Sequence, residues 1–162
     1  MMVLASPNRP AEPRVPDAAV VMRLLDLAAS RFDYVVIDLP RTWFTWTDAL
    51  VSGCNKIFVV TETTVPGLKL ASNLADAMVA KLGQDLKPRV IVNRFEKRMF
   101  GSGLRTADLA AALKERFAGT VSNNYRLVRE AIDRGVPIDA IEKGSNVASD
   151  LRRVILSEIE AK

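Results

Sequence analysis

Arg31 to Arg41 reads RFDYVVIDLPR, and this stretch decides the fold. Tyr34, Val35, Val36 and Ile37 form an unbroken apolar run of β-branched and aromatic residues, which suits a strand buried on both faces of a parallel sheet. Asp38 ends the run. A carboxylate at the carboxyl end of such a strand points into the crevice where open α/β sheets bind ligands. Pro40 stops the strand and leaves Asp38 at its mouth. An ordinary strand end with a solvated Asp fits the same residues.

Outward from this strand, the chain alternates helices and strands. Before it, residues 7–16 carry four prolines, a spacing that forbids helix and sheet interior and predicts an extended loop. Asp17 can cap a helix whose apolar positions Val20, Val21, Leu24, Leu25, Leu27 and Ala28 recur at helical spacing. After it, Trp43, Phe44 and Trp46 crowd three of the chain's ten aromatic residues into four positions. They are candidate partner-binding anchors, because Trp and Phe favour interface centres; packing on the sheet edge fits them equally. A short helix follows to about Gly53.

NKIFVVT at 55–61 is the next buried-strand pattern, then a helix over 68–82 closed by Gly83, then the strand RVIVNRF at 89–95. Asn93 and Arg94 stand at the carboxyl end of that strand, on the same rim as Asp38. Residues 96–106, with Lys97, Arg98 and Gly101-Ser-Gly103, read as a loop without phosphate-binding spacing. Helices are predicted over 107–117, 125–134 and about 147–159, with a short edge strand at 120–122 and a loop from Pro137 through Gly144. Strand-helix-strand alternation implies right-handed crossovers and a mostly parallel sheet with flanking helices, the α/β class.

Composition narrows the function classes. The 162 residues suit one domain, and 49% hydrophobic with 26% charged residues is near the globular average. A net charge of +4 without a run of like charges gives no strong nucleic-acid signal. The absence of histidine excludes a His-ligated metal site and a Ser-His-Asp hydrolase in this chain. A single cysteine, Cys54, allows no internal disulfide and fits a reducing cytosol. No apolar stretch approaches the roughly 20 residues of a transmembrane helix, and an N-terminus without a basic region reads as no signal peptide.

The order of these features resembles the carboxyl-terminal half of the MinD/ParA-type deviant P-loop ATPases, nearest the CpaE/TadZ branch of Flp pilus assembly. The residues that carry it are VLASP at 3–7, RFDYVVIDLPR at 31–41, KIFVVTETTVPGLKLASNL at 56–74, VIVNRF at 90–95 and VREAIDRGVPI at 128–138. Asp33 to Pro40 matches the Walker B segment, so the resemblance implies that Asp38 acts on Mg²⁺ through water. It implies that Asn93 and Arg94 contact the adenine of ATP and that Pro137 and Ile138 belong to a loop closing over the base. Residues 1–162 would then be a partial ATPase domain, incomplete at the N-terminus, in a cytoplasmic protein that can sit peripherally at the inner membrane or cell pole.

One departure matters. The family's first strand, Gly-rich loop with two lysines and following helix have no counterpart here. Phosphate binding depends on such backbone N–H groups and a lysine, so the polypeptide alone is expected to bind ATP and Mg²⁺ weakly and not to hydrolyse ATP. The P-loop strand would lie between the strand ending at Asp38 and strand 56–61. Without it both are left with unpaired backbone groups, and the chain is expected to be less stable than its composition suggests. A truncated gene, a late start site and half of a split protein all fit. Three functional readings stand: a pilus-assembly ATPase-like protein, a non-catalytic dimerisation or localisation scaffold of a pilus or secretion system, and a ParA-like partition protein. The expected partners are a second copy or components of the pilus and secretion machinery.

Overall fold

The computed structural model describes residues 2–3, 17–96 and 104–160. The Pro-rich stretch 7–16 and the Lys97, Arg98 and Gly101–Gly103 segment lie outside the described residues. The chain divides into two units, Met1–Gly53 and Cys54–Lys162.

The first unit holds two helices. Helix α1 (Ala18–Ala29) starts where Asp17 accepts a hydrogen bond from the Ala19 N–H at 2.8 Å, as its capping role requires. None of its residues is buried, and Val20, Leu24 and Leu27 along one face are 62%, 43% and 50% exposed. Helix α2 (Thr47–Gly53) buries Thr47, Leu50 and Val51. Its start is fixed by a reciprocal pair, Phe44 N–H to Thr47 Oγ1 and Thr47 N–H to the Phe44 carbonyl, both 3.0 Å.

Between these helices the expected strand 34–38 is not formed. Residues 34–40 carry no regular secondary structure, Tyr34 is 72% exposed and Val36 is 95% exposed. The apolar run encodes a preference for burial, but a strand exists only with a ladder partner. Among the described residues this segment has none.

The second unit is an α/β layer structure. Strands β1 (Phe58–Glu62), β2 (Arg89–Phe95) and β3 (Phe117–Ser122) form a parallel sheet in the order β1-β2-β3. Helix α3 (Val65–Leu82) connects β1 to β2, and α4 (Thr106–Leu113) with a 3-10 turn at Lys114–Arg116 leads into β3. Helices α5 (Tyr125–Arg134), α6 (Ile138–Ile141) and α7 (Asn146–Glu160) follow. Successive residues of β2 serve opposite faces, as the two-residue period of a strand demands. Val90 and Val92 join Leu68, Met78, Leu109 and Leu113 of α3 and α4 in one core, whereas Ile91 joins Val121, Val147 and Val154 in a second. Burial on both faces explains the continuous apolar run of Val90, Ile91 and Val92 within RVIVNRF.

Strand β3 is longer than the sequence indicates. Gly119, read as a helix stop, sits inside it at φ +152°, and a Cβ built there would lie 2.6 Å from Val154 Cγ2. The glycine therefore serves close approach of α7 to the sheet. The predicted helix 107–117 consequently stops at Leu113.

At the amino ends of β2 and β3 the Arg89 guanidinium ties four elements together. It donates to the Glu115 carbonyl, to the Phe117 carbonyl at 3.1 Å and to Glu158 Oε1 at 2.5 Å. Glu158 is 8% exposed on α7. Removing it in Glu158→Ala strands a partly buried cation and is expected to cost about 2 kcal/mol, below the roughly 3–5 kcal/mol of a fully buried pair. Glu158→Gln keeps an acceptor and should lose less than half of that. Urea denaturation of both variants checks the ordering.

Candidate functional site

The carboxyl ends of β2 and β3 form a depression of about 280 Å³. Open parallel sheets bind ligands at this rim. From β2 come Asn93 and Arg94; from the end of β3 and the loop after it come Ser122, Asn123 and Asn124. The first turns of α5 supply Tyr125, Val128 and Arg129, with Ile132 further along and Val147 of α7 also lining the wall. Its volume is just below the roughly 300–1,000 Å³ of small-molecule pockets, so it suits a flat ring system better than a whole nucleotide.

Asn93 and Arg94 form a β-bulge that sequence reading did not reveal. Val92 pairs with Thr120 and Phe95 with Ser122, so three steps on β2 oppose two on β3. Arg94 takes the left-handed backbone conformation, φ +53°. Asn93 Oδ1 accepts the Arg94 N–H at 2.8 Å, which orients the amide and leaves its NH₂ able to donate. The Arg94 guanidinium meets Glu62 Oε1 of β1 at 2.7 Å. Both side chains are more than half exposed, so this pair holds Arg94 only weakly.

The loop after β3 is built from capping interactions. Asn124 Oδ1 accepts the Leu127 N–H at 3.2 Å and so caps α5, while its amide reaches Asn146 Oδ1 at 3.4 Å. The Asn123 amide donates to Glu96 Oε1 at 2.9 Å, and its backbone N–H donates to the Phe95 carbonyl at 2.9 Å. Arg129 Nη1 reaches the Tyr125 hydroxyl at 3.4 Å. The result is a ring of amides and two guanidinium groups over an apolar floor, able to hydrogen-bond the edge of a planar heterocycle and to pack on its faces. Asn123, Asn124 and Tyr125 were not singled out from the sequence. The available signal was an Asn-Asn pair leaving one strand at the rim already occupied by Asn93.

Pro137 and Ile138 are not among the residues that line this pocket. Pro137 and Ile138 line a second depression of about 430 Å³ between α6 and α7, with Leu151, Arg152 and Ile155. Ile138 also packs against the core cluster that contains Val147, and so supports the first pocket's wall indirectly. Asp38 is exposed in the first unit, on the segment that forms no strand. Trp46 is buried at 7% exposure and stacks on Phe44 with ring centroids 5.3 Å apart. Trp43 is 37% exposed and donates its indole N–H to Asp48 Oδ1 at 2.6 Å.

Among the described residues no group of three or more Asp, Glu or Cys side chains lies close enough to hold a metal ion. One exposed carboxylate on an irregular segment does not make a Mg²⁺ site by itself, because the ion takes near-octahedral oxygen ligation from carboxylates, phosphates and water. No described helix is long and apolar enough to cross a membrane.

No protein-family model and no curated protein matches the sequence. Solved structures do match. MinD cell division protein of Aquifex aeolicus superposes on 93% of this chain with TM-score 0.71 at 20% identity. The MinC:MinD cell division protein complex of the same organism gives 90%, 0.69 and 20%. A ParA family ATPase from Chlorobium tepidum gives 88%, 0.70 and 14%. The chain spans 64%, 58% and 57% of those structures' own lengths respectively. The polypeptide therefore has the α/β fold of the ParA and MinD ATPases.

Proposed function

We propose that the pocket at the carboxyl ends of β2 and β3 receives the base of a nucleotide, as part of an ATP-binding ParA/MinD-type domain. The observation that carries this reading is the Asn93–Arg94 bulge, which directs an amide with an unspent NH₂ toward an apolar-floored pocket. Adenine presents a ring acceptor beside an amino donor, a pattern an Asn amide can complement on both counts. Val128, Ile132 and Val147 supply the contact its faces need.

The finer assignment, a CpaE/TadZ-like component of pilus assembly, rests on the sequence motifs at 31–41, 56–74, 90–95 and 128–138. In this reading Pro137 and Ile138 act through the packing of α6, and the family resemblance would have Asp38 act on Mg²⁺ through water. The chain's own residues bind and orient the base. They offer no Gly-Lys-Ser/Thr cradle for the phosphates, so turnover by this polypeptide alone is not part of the function.

A titration with a fluorescent ATP analogue tests the proposal. Saturable binding is expected, weakened about tenfold in Asn93→Ala by loss of one or two hydrogen bonds in a partly dry site. No phosphate release above the blank is expected. Equal binding by Asn93→Ala and the parent chain would remove the base from this pocket. The second reading, a scaffold that docks a partner or a second copy, draws support from the unburied apolar face of α1. Absence of nucleotide binding together with concentration-dependent association would favour it.

A further inference from the structure

The left-handed conformation of Arg94 needs a cause. A non-glycine residue at positive φ costs about 1–2 kcal/mol and persists only where its surroundings fix it. The Arg94–Glu62 pair is too exposed to do so, with side chains 63% and 57% accessible. Phe95, the next residue, is 4% exposed and therefore fixed, and its carbonyl accepts the Asn123 N–H. Upstream the register shifts the other way, with the single step from Val90 to Ile91 opposing two from Phe117 to Gly119, so the extra residue in β2 before Phe95 restores the pairing with Ser122.

That register is held from α7. N–H groups alternate sides along a strand, so with the Asn123 N–H directed at β2 the Ser122 N–H points off the ladder. Asp150 Oδ2 accepts it at 3.0 Å and also accepts the Ser122 hydroxyl at 2.5 Å. The other oxygen, Oδ1, takes Arg153 Nη2 at 2.6 Å. The Asp150 side chain is 18% exposed, so solvent screens these bonds less than it screens the Arg94–Glu62 pair. Helix α7 is itself anchored by Val147 and Val154 in the second core.

We propose that Asp150, which does not line the pocket, is a positioning residue for it. By gripping Ser122 it fixes the β3 register and thereby holds the Asn93–Arg94 bulge and the 122–124 loop in the shape that meets the ligand. The ligand part of this inference rests on the base-binding reading above; the positioning part does not.

The experiment compares the parent chain with Asp150→Ala, Asp150→Asn and Ser122→Ala by ¹H–¹⁵N correlation spectra and by titration with the fluorescent ATP analogue. In Asp150→Ala the amide signals of Asn93 and Arg94, neither bonded to Asp150, should shift or broaden, and affinity should fall about tenfold. Asp150→Asn retains an oxygen that can accept both Ser122 bonds and should restore the signals and the affinity. Ser122→Ala keeps the N–H bond and loses the hydroxyl, so it should move the same amides by less; it also decides the matter if Asp150→Ala does not fold. Unmoved Asn93 and Arg94 amides in both Asp150→Ala and Ser122→Ala would overturn the proposal. So would an Asp150→Asn chain that behaves like Asp150→Ala, since the charge toward Arg153 would then be what counts. If the parent chain binds no analogue, the base-binding reading fails, while the amide comparison still decides the positioning role.

Discussion

Gly119→Ala is expected to destabilise the second unit by about 3 kcal/mol, from overpacking and backbone strain together. The residue sits at φ +152°, where L side chains are rarely found, and its new Cβ would meet Val154 Cγ2 at 2.6 Å. Val154 is 2% exposed and cannot swing away. Relief must come from displacing α7, which also carries Asp150 and Val147. The test is a double-mutant cycle in urea. Val154→Ala alone leaves a cavity and destabilises; combined with Gly119→Ala it makes room for the methyl group. The pair should therefore cost at least 1 kcal/mol less than the sum of the single changes. Additive costs would mean that the glycine is needed for its backbone alone and not for the approach of the helix.

Leu109→Ala should have a comparable or larger effect, about 3 kcal/mol and a fall in Tm of about 10 °C or more. Leu109 is 0% exposed in the core that α4 and α3 close over β2, together with Val90, Val92 and Leu113. A domain's whole stability is only about 5–15 kcal/mol, so this single truncation should bring the midpoint close to working temperatures. Leu109→Met conserves most of the volume and should cost less than about 1.5 kcal/mol. Thermal unfolding followed by circular dichroism separates the two. Similar losses in both variants would show that the site tolerates no change of shape, and negligible loss in Leu109→Ala would contradict the packing described.

How far these properties were legible in the sequence depends on how local their causes are. The cap at Asp17 and the helix stops at Gly83 and Gly135 act within one turn of the chain, and the helices stop at Leu82 and Arg134 as the pattern predicts, although α3 starts at Val65, three residues before the expected Leu68. The strand 89–95 is equally legible because burial on both faces leaves the unbroken apolar run Val90, Ile91 and Val92 at its centre. The same run at 34–37 misleads, since its residues specify burial while the partner that would make it a strand is not local. Gly119 misleads in the opposite sense: a glycine after a helical pattern reads as a stop, and only Val154, 35 positions away in a different helix, gives its reason.

The candidate site was half legible. Asn93 and Arg94 could be placed on the rim by counting from the strand's end. Their bulge could not, because it arises from a mismatch of register between β2 and β3 that neither strand encodes by itself. The predicted edge strand 120–122 already ended at Ser122, but Asn123 and Asn124 joined the pocket only once β3 proved to pair with β2, with Ser122 opposite Phe95. Pro137 and Ile138 are close in sequence to α5, yet they face the separate depression against α7.

Photolabelling with 8-azido-ATP, followed by mapping of the modified peptide, tests the central claim most directly. Light-dependent attachment within residues 122–132 or 93–96, suppressed by excess ATP and lost in Asn93→Ala, is the expected result. Attachment in the α6–α7 depression around Pro137 and Leu151, or labelling that excess ATP does not suppress, would contradict it.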